Sequence, residues 1–549
     1  MGLLENTGQP VARGADLEKF PSGELRKRPY TDFLQPVSPV ANDDSSVDEG
    51  QSMKPSKDQT HRKLKPRHIQ LIGIGGTIGT ALSSFILAVT ISMAEMVTYL
   101  PISSPFIRFA GRYVDEAFGV ATGYNFFVFE AAMVPFEIVA CNVIIHYWSD
   151  IVPAAGIITI VLVLYGAINF FAVKWYGESE FWLALGKALL IIGLIIFTFV
   201  TMLGGNPLGD RYGFRHWREP GAFAEFYKTG DLGRFLGFLQ CMILASFTIA
   251  GPDYVSMAAG ETENPRYVLP RAFNAVFYRL TAFFVLGSLC VGIVVPYDDK
   301  TMSDAFKKGL PGAAASPYVV AMDRLQIKVL PHIVNAMVLG AAFSAGNSYV
   351  YCASRSLFGL ALEGKAPRIF TKCNRNGVPI YCVSLVLLIA LLSFLQVSNE
   401  ASVVLDCFLN FFAVAFTYTR FMKALDAQGV SRDSLPYKGF FQPYLAYYAC
   451  AGTLIMAFVG GYTVFLPGNW SIPTFLFSYT MIGLCPVLFF GWKLSKKTKW
   501  FKPHEVDLFK DVAEIDEYTK NFVPAPPRTL SGSIWMDEFA PLKYAYVEN

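Results

Sequence analysis

The chain has 549 residues, 53% of them hydrophobic and only 16% charged, with a formal net charge of +3. A soluble globular chain carries about 25% charged residues, so the deficit points to lipid as solvent. The near-neutral balance excludes a nucleic-acid-binding surface, and the nine cysteines and six histidines form no CxxC pair, HExxH cluster or other ligand spacing, so no metal and no cofactor is expected.

Met1–Thr60 is polar and rich in Pro, Ser, Asp and Glu. It contains no early apolar run of the kind a cleavable leader needs, and it reads as a disordered tail. The chain divides into an N-terminal tail (1–66), a membrane region (67–492) and a C-terminal tail (493–549). A spanning helix needs about 20 apolar residues. Ile69–Leu100 is apolar but awkward: its 32 residues are too many for one crossing and too few for two. Gly119–Trp148 follows, then Ala154–Val173, which carries no charge. Phe181–Leu203 carries one charge, Lys187. Gly233–Gly260, Phe273–Pro296, Leu330–Leu362, Pro379–Val397, Ala401–Met422, Pro443–Phe465 and Ile472–Trp492 complete the series of expected spans.

Lys and Arg concentrate in alternate short loops, which predicts a cytoplasmic location for those loops. Arg108 and Arg112, Arg266 and Arg271, Lys365–Arg375, Arg420–Lys438 and KLSKKTK all fall on that side, as do both tails. The two long loops, Gly204–Leu232 and Tyr297–Val329, belong outside. This arrangement requires Ile69–Leu100 to enter and leave on one side, either as a short re-entrant hairpin bent near Gly79 or because the deduced chain lacks a segment.

Two spans are interrupted. IGIGGTIGTA (Ile72–Ala81) holds four glycines, and SFTIAGPDYVSMAAGE (Ser246–Glu261) holds Gly251, Pro252 and then the acidic Asp253. Glycine exposes backbone and proline removes a donor, so both runs read as unwound helix. Unwound backbone at membrane depth is tolerated where it lines a cavity, and paired interruptions in two halves of a chain point to a transporter site. Close helix packing would also use such glycines. Ionisable residues inside apolar runs are the second signal, each costing about 2.5–3.5 kcal/mol at the bilayer centre. They are Glu95, Glu130, Glu137, Lys187, Asp253 and Asp406. Glu95, Glu130 and Asp406 also fit structural roles. Lys187 has no acid within the helical turn that follows it.

RHIQLIGIGGTIGT (Arg67–Thr80) resembles the first helix of fungal amino acid permeases of the amino acid–polyamine–organocation superfamily. VPFEIVACNVIIHYW, VKWYGESEFWLALGK, AAGETENPRYVLPRAFNAVFYR and FSAGNSYVYCASRSLFGLALEGKAPRIFTKCNRNGVP extend the resemblance in order through about Asp516. The resemblance implies an all-α polytopic membrane protein of twelve helices with a LeuT-like five-plus-five inverted repeat, helices one and six being broken. It implies a secondary active, proton-coupled amino acid permease of the plasma membrane, and no enzyme. Thr77, Gly79 and Thr80 would then meet the substrate carboxylate, and carbonyls near Ile78, Phe247 and Thr248 its ammonium. Gly251, Asp253 and Tyr254 would lie just past the second break, with Lys187 and Glu137 serving ion coupling. Amino acid, proton and bilayer are the implied partners, and the cytoplasmic tails would meet ubiquitin ligases and other trafficking machinery.

Two features depart from the family pattern. The first break reads GTA where the family has GTG, with the end of helix one and start of helix two missing, and the tenth helix is shortened between Asn410 and Tyr418. These departures keep open a relative that senses an amino acid without transporting it. A carrier of polyamines or quaternary amines is a further alternative.

Overall fold

The computed structural model describes residues 84–149, 151–171, 173–248, 252–300, 316–395 and 400–522. Among these residues the regular structure is entirely helical. The expected N-terminal tail, the first interrupted run with Thr77, Ile78, Gly79 and Thr80, and Gly251 of the second all lie outside them.

The helices are α1 (Ser84–Tyr99), α2 (Pro105–Tyr113), α3 (Glu116–Ile145), α4 (Ala154–Phe171), α5 (Val173–Met202), α6 (Gly230–Thr248), α7 (Pro252–Met257) and α8 (Pro265–Val294). Later in the chain come α9 (Pro317–Arg324), α10 (Leu330–Leu362), α11 (Ile380–Ala390, with a 3₁₀ turn to Leu395), α12 (Glu400–Ala427), α13 (Tyr444–Val459), α14 (Ile472–Lys496) and α15 (Val512–Asn521). Their starts follow local chemistry. Asp115 caps α3 by accepting from the Ala117 N–H at 2.9 Å. Proline opens α7 and α8, where a missing N–H removes no intrahelical bond.

Two kinds of helix result. α1 and the C-terminal half of α10 are enclosed on nearly every side, from Ile86 to Leu100 and from Gly346 to Leu362. A helix apolar all round is an interior helix. Three hydroxyls of α1 are satisfied within it: Thr90, Ser92 and Thr98 donate to carbonyls one turn back at 2.8, 3.0 and 2.7 Å. By contrast α4, α5, α13 and α14 turn large apolar side chains outward, among them Val163, Ile196, Phe199, Ile455, Val487 and Phe490. Such a belt is a liability in water and the ordinary surface of a protein in lipid. Among the described residues four helices are long and apolar enough to cross a membrane: Glu116–Ile145, Gly177–Met202, Leu330–Leu362 and Tyr444–Phe465.

Three boundaries differ from the sequence reading. α5 begins at Val173, not near Phe181. The described part of Ile69–Leu100 is one helix of 16 residues. At about 1.5 Å per residue this described part, which begins at Ser84, is some 24 Å long. α12 is a continuous helix of 28 residues, so the deficit between Asn410 and Tyr418 does not leave a short helix.

The basic loops gather at one end of the bundle, and the chain after α14 folds across them. Arg112 pairs with Asp511 at 2.7 Å and Arg266 with Asp516 at 2.5 Å. Arg420 donates to the Phe501 carbonyl, and Gln428 to that of Val506 at 2.7 Å. Val506, Leu508, Val512 and Ile515 are buried in this contact. The stretch read as a tail is therefore part of the folded body as far as α15.

Candidate substrate and ion-coupling site

Helices α3, α4, α5, α7 and α10 bring the buried polar residues together. α10 supplies Ser344, Asn347, Ser348, Tyr349 and Cys352, all within two and a half turns. Gly346 sits among them, and a side chain there would strike the Tyr165 hydroxyl of α4. Small residues at this level let the helices approach closely enough for short side chains to meet.

Lys187 is only 3% exposed. It is not the unpaired lysine expected from sequence: Glu180 and Glu137 both act on it electrostatically. Glu180 is held in turn by Ser344, whose hydroxyl lies 2.7 and 2.8 Å from its two carboxylate oxygens. One layer away Asn169 donates to Asn347 at 2.8 Å. An ammonium acted on by two carboxylates, one on its own helix and one on α3, can exchange a proton and change its attraction for either neighbour. The sequence reading missed Glu180. Its span began at Phe181, one residue too late; with α5 starting at Val173, Glu180 stands two turns before Lys187 on the same helical face.

Asp253 and Tyr254 lie on the first turn of α7. Both are buried, and the Tyr254 ring meets that of Tyr349 edge-on with centroids 6.0 Å apart. Asp253 acts electrostatically on Glu130 of α3, and both acids act on Cys352 of α10. Phe247 and Thr248 occupy the last turn of α6; their side chains lie outside the described set. Glu137 belongs to the lysine cluster and not to this one. The site positions thus fall into two groups: a lysine–carboxylate cluster on α3, α5 and α10, and an acidic cluster on α3, α7 and α10.

Glu95 takes neither role. It is fully buried and is held by Arg432, by the Tyr418 hydroxyl at 2.5 Å and by the Gly439 N–H at 2.6 Å. This is the structural reading of that residue. Asp406 lies on α12, with its side chain outside the described set. No group of three or more potential metal ligands occurs among the described residues.

Residues 68–504 match the family described as Amino acid permease. The chain belongs to the amino acid permease family. It is 45% identical over 500 residues to the general amino acid permease AGP2 of Saccharomyces cerevisiae, covering 84% of each chain. It is 40% identical over 511 residues to a proline-specific permease of Emericella nidulans, covering 87% of this chain and 93% of that one. A lysine-specific permease of Saccharomyces cerevisiae is 36% identical over 490 residues, covering 83% of this chain and 79% of the relative. The permease is accordingly a multi-pass membrane transporter of the amino acid class and not an enzyme. The names of these relatives differ in solute, so membership alone does not select one.

Proposed function

We propose that this permease is a proton-coupled amino acid symporter of the plasma membrane, with both tails cytoplasmic. The substrate carboxylate is held at the first interruption by Thr77, Gly79 and Thr80. Its ammonium is held by backbone carbonyls at Ile78, Phe247 and Thr248, with Gly251, Asp253 and Tyr254 bounding the site. Freed N–H groups at a half-helix start suit an anion, and freed carbonyls suit a cation. The two halves are related by a LeuT-like five-plus-five inverted repeat, with helices one and six broken.

The observation that carries this reading is Lys187, buried in the bundle with Glu180 and Glu137 acting on its charge and Glu180 held by Ser344. In such a cluster an ammonium occupies the place where a coupling cation would sit. Loss of its proton weakens the tie between α5 and α3, which gives proton movement a mechanical consequence. The clustering of basic loops at one end, joined by the segment after α14, supports a common cytoplasmic side. The tails beyond it are available to ubiquitin ligases and other trafficking machinery.

Uptake of labelled amino acids in a permease-deficient host tests the activity, and Lys187→Met tests the coupling. The variant is expected to exchange substrate across the membrane, measured as counterflow, while losing concentrative uptake. Undiminished accumulation by Lys187→Met would remove Lys187 from the mechanism. A second reading is a sensing relative that binds an amino acid without transporting it. Ligand binding without any uptake would select it.

A further inference from the structure

Glu130 is 0% exposed, and neither of its carboxylate oxygens has a hydrogen-bond partner among the described residues. Asp253 is 3% exposed, and its Oδ1 is likewise without a partner. A buried carboxylate left unpaired is costly, and buried polar groups are otherwise almost always satisfied. The cations nearby are committed elsewhere. Lys187 faces Glu180 and Glu137, and Arg355, one turn from Cys352, bonds Glu261 at 3.1 Å. The first interrupted run cannot supply one either, because no Lys, Arg or His occurs between His68 and Arg108.

We infer that Glu130 and Asp253 receive the side-chain ammonium of a basic amino acid, making this a permease for lysine-type substrates. The inference rests on the amino acid transport reading given above and names the solute class for the same site. Three unpartnered acceptor oxygens match the three donors of a primary ammonium. A quaternary ammonium has the charge but no donors, and would leave all three oxygens as they are. The edge-on pair of Tyr254 and Tyr349 beside the acids gives the aliphatic stem of such a side chain an aromatic wall. The two carboxylates come from α3 and α7, so binding of one ammonium ties the helix after the second break to the helix that also carries Glu137. Tying those two helices draws substrate recognition and the lysine cluster into one movement.

Three isosteres separate the contributions: lysine, norleucine (uncharged) and Nε-trimethyllysine (charged, without donors). Each is used as a competitor of uptake and as a stabiliser of the purified protein against heat. The full-length permease should prefer lysine to both others. Glu130→Gln and Asp253→Asn should each lower the ratio of lysine to norleucine uptake by about tenfold or more, the scale of a lost charge-assisted hydrogen bond. Surface expression and heat stability of the variants separate this from a folding loss. Equal preference for lysine and norleucine in the wild type, or an unchanged ratio in both variants, overturns the inference. Stabilisation by lysine with no uptake of any amino acid would defeat the transport reading and leave the cation site standing. Accumulation of norleucine, with lysine neither carried nor stabilising, would do the reverse.

Discussion

The acids at the loop-rich end of the bundle and the acids in its middle are chemically alike and arranged in opposite ways. At the end, each is answered. Glu261 accepts from Arg355 and from the Tyr351 hydroxyl at 2.8 Å, and the Arg355 guanidinium lies 4.1 Å above the Tyr351 ring. Glu363 bonds Arg108 at 2.7 Å, and Asp115 takes Lys493 and Thr498. In the middle, both carboxylate oxygens of Glu130 and the Oδ1 of Asp253 have no hydrogen-bond partner among the described residues, and Asp253 acts electrostatically on Glu130. The difference teaches that burial alone does not assign a role to an ionisable group. A paired carboxylate ties elements of the protein together, whereas an unpaired one presents its charge to whatever can enter.

That contrast can be broken most sharply at Glu261 and Arg355, both almost fully buried. Removing one partner of a buried pair leaves the other uncompensated and costs about 3–5 kcal/mol. Glu261→Gln or Arg355→Met should therefore deplete folded protein at the cell surface and lower its thermal midpoint in detergent. The double variant Glu261→Leu with Arg355→Met should recover much of the loss. If either single variant is as stable as wild type, the pair is not what holds that end.

The segment after α14 is the next largest expected effect. Leu508 is fully buried against the bundle, and a Leu→Ala change in a core typically costs about 2–5 kcal/mol. Leu508→Ala should lower the thermal midpoint about as much as a core substitution inside the helices does. A negligible shift would mean that the segment rests on the body without stabilising it.

Glu130→Gln and Asp253→Asn sharpen the comparison from the other side. Replacing either carboxyl with its amide breaks no hydrogen bond at Glu130 Oε1 and Oε2 or Asp253 Oδ1, so neither variant should destabilise the empty protein. Heat stability measured without substrate should stay level or rise. A loss of several kcal/mol would place these acids among the paired ones.

A smaller effect depends on pH. Burial works to raise the Glu363 carboxyl, but Arg108 and Lys365 outweigh it and hold the group below its ordinary value of 4.5. A carboxylate with a depressed folded value adds stability above the unfolded value and loses it as pH falls through the folded one. The stability difference between wild type and Glu363→Gln should be constant near neutrality and shrink below about pH 4.5. A difference that instead grows with acid would reverse the assignment. Least of all should follow from Asp210→Asn, which removes the exposed pair with Arg215. Such surface pairs contribute about 0–1 kcal/mol, and the thermal midpoint should barely move.

Much of the architecture was readable because lipid imposes simple rules. Runs such as Ala154–Val173 and Leu330–Leu362 reappear as α4 and α10 with ends shifted by two residues or none. Backbone groups in an apolar solvent must be paired within the segment, so length and hydropathy suffice to find such helices. Boundaries were weaker where the helix continues past the apolar run. α5 starts eight residues before the expected span, because the helix continues through Glu178, Ser179 and Glu180 ahead of the apolar run, with Glu180 buried. That shift hid Glu180, and with it the partner of Lys187.

The sequence by itself determined the class of molecule, the positions of most helices, the grouping of basic loops and the residues that do not belong in lipid. These follow from composition and periodicity along one chain. Only the tertiary structure decided which of those residues are partners. Glu95 meets Arg432 across 337 positions, Glu261 meets Arg355 across 94, and Glu130 and Asp253 meet no cation among the described residues. Pairing of charges depends on distances between helices, and nothing in a one-dimensional pattern of apolar runs fixes which faces of two helices come together.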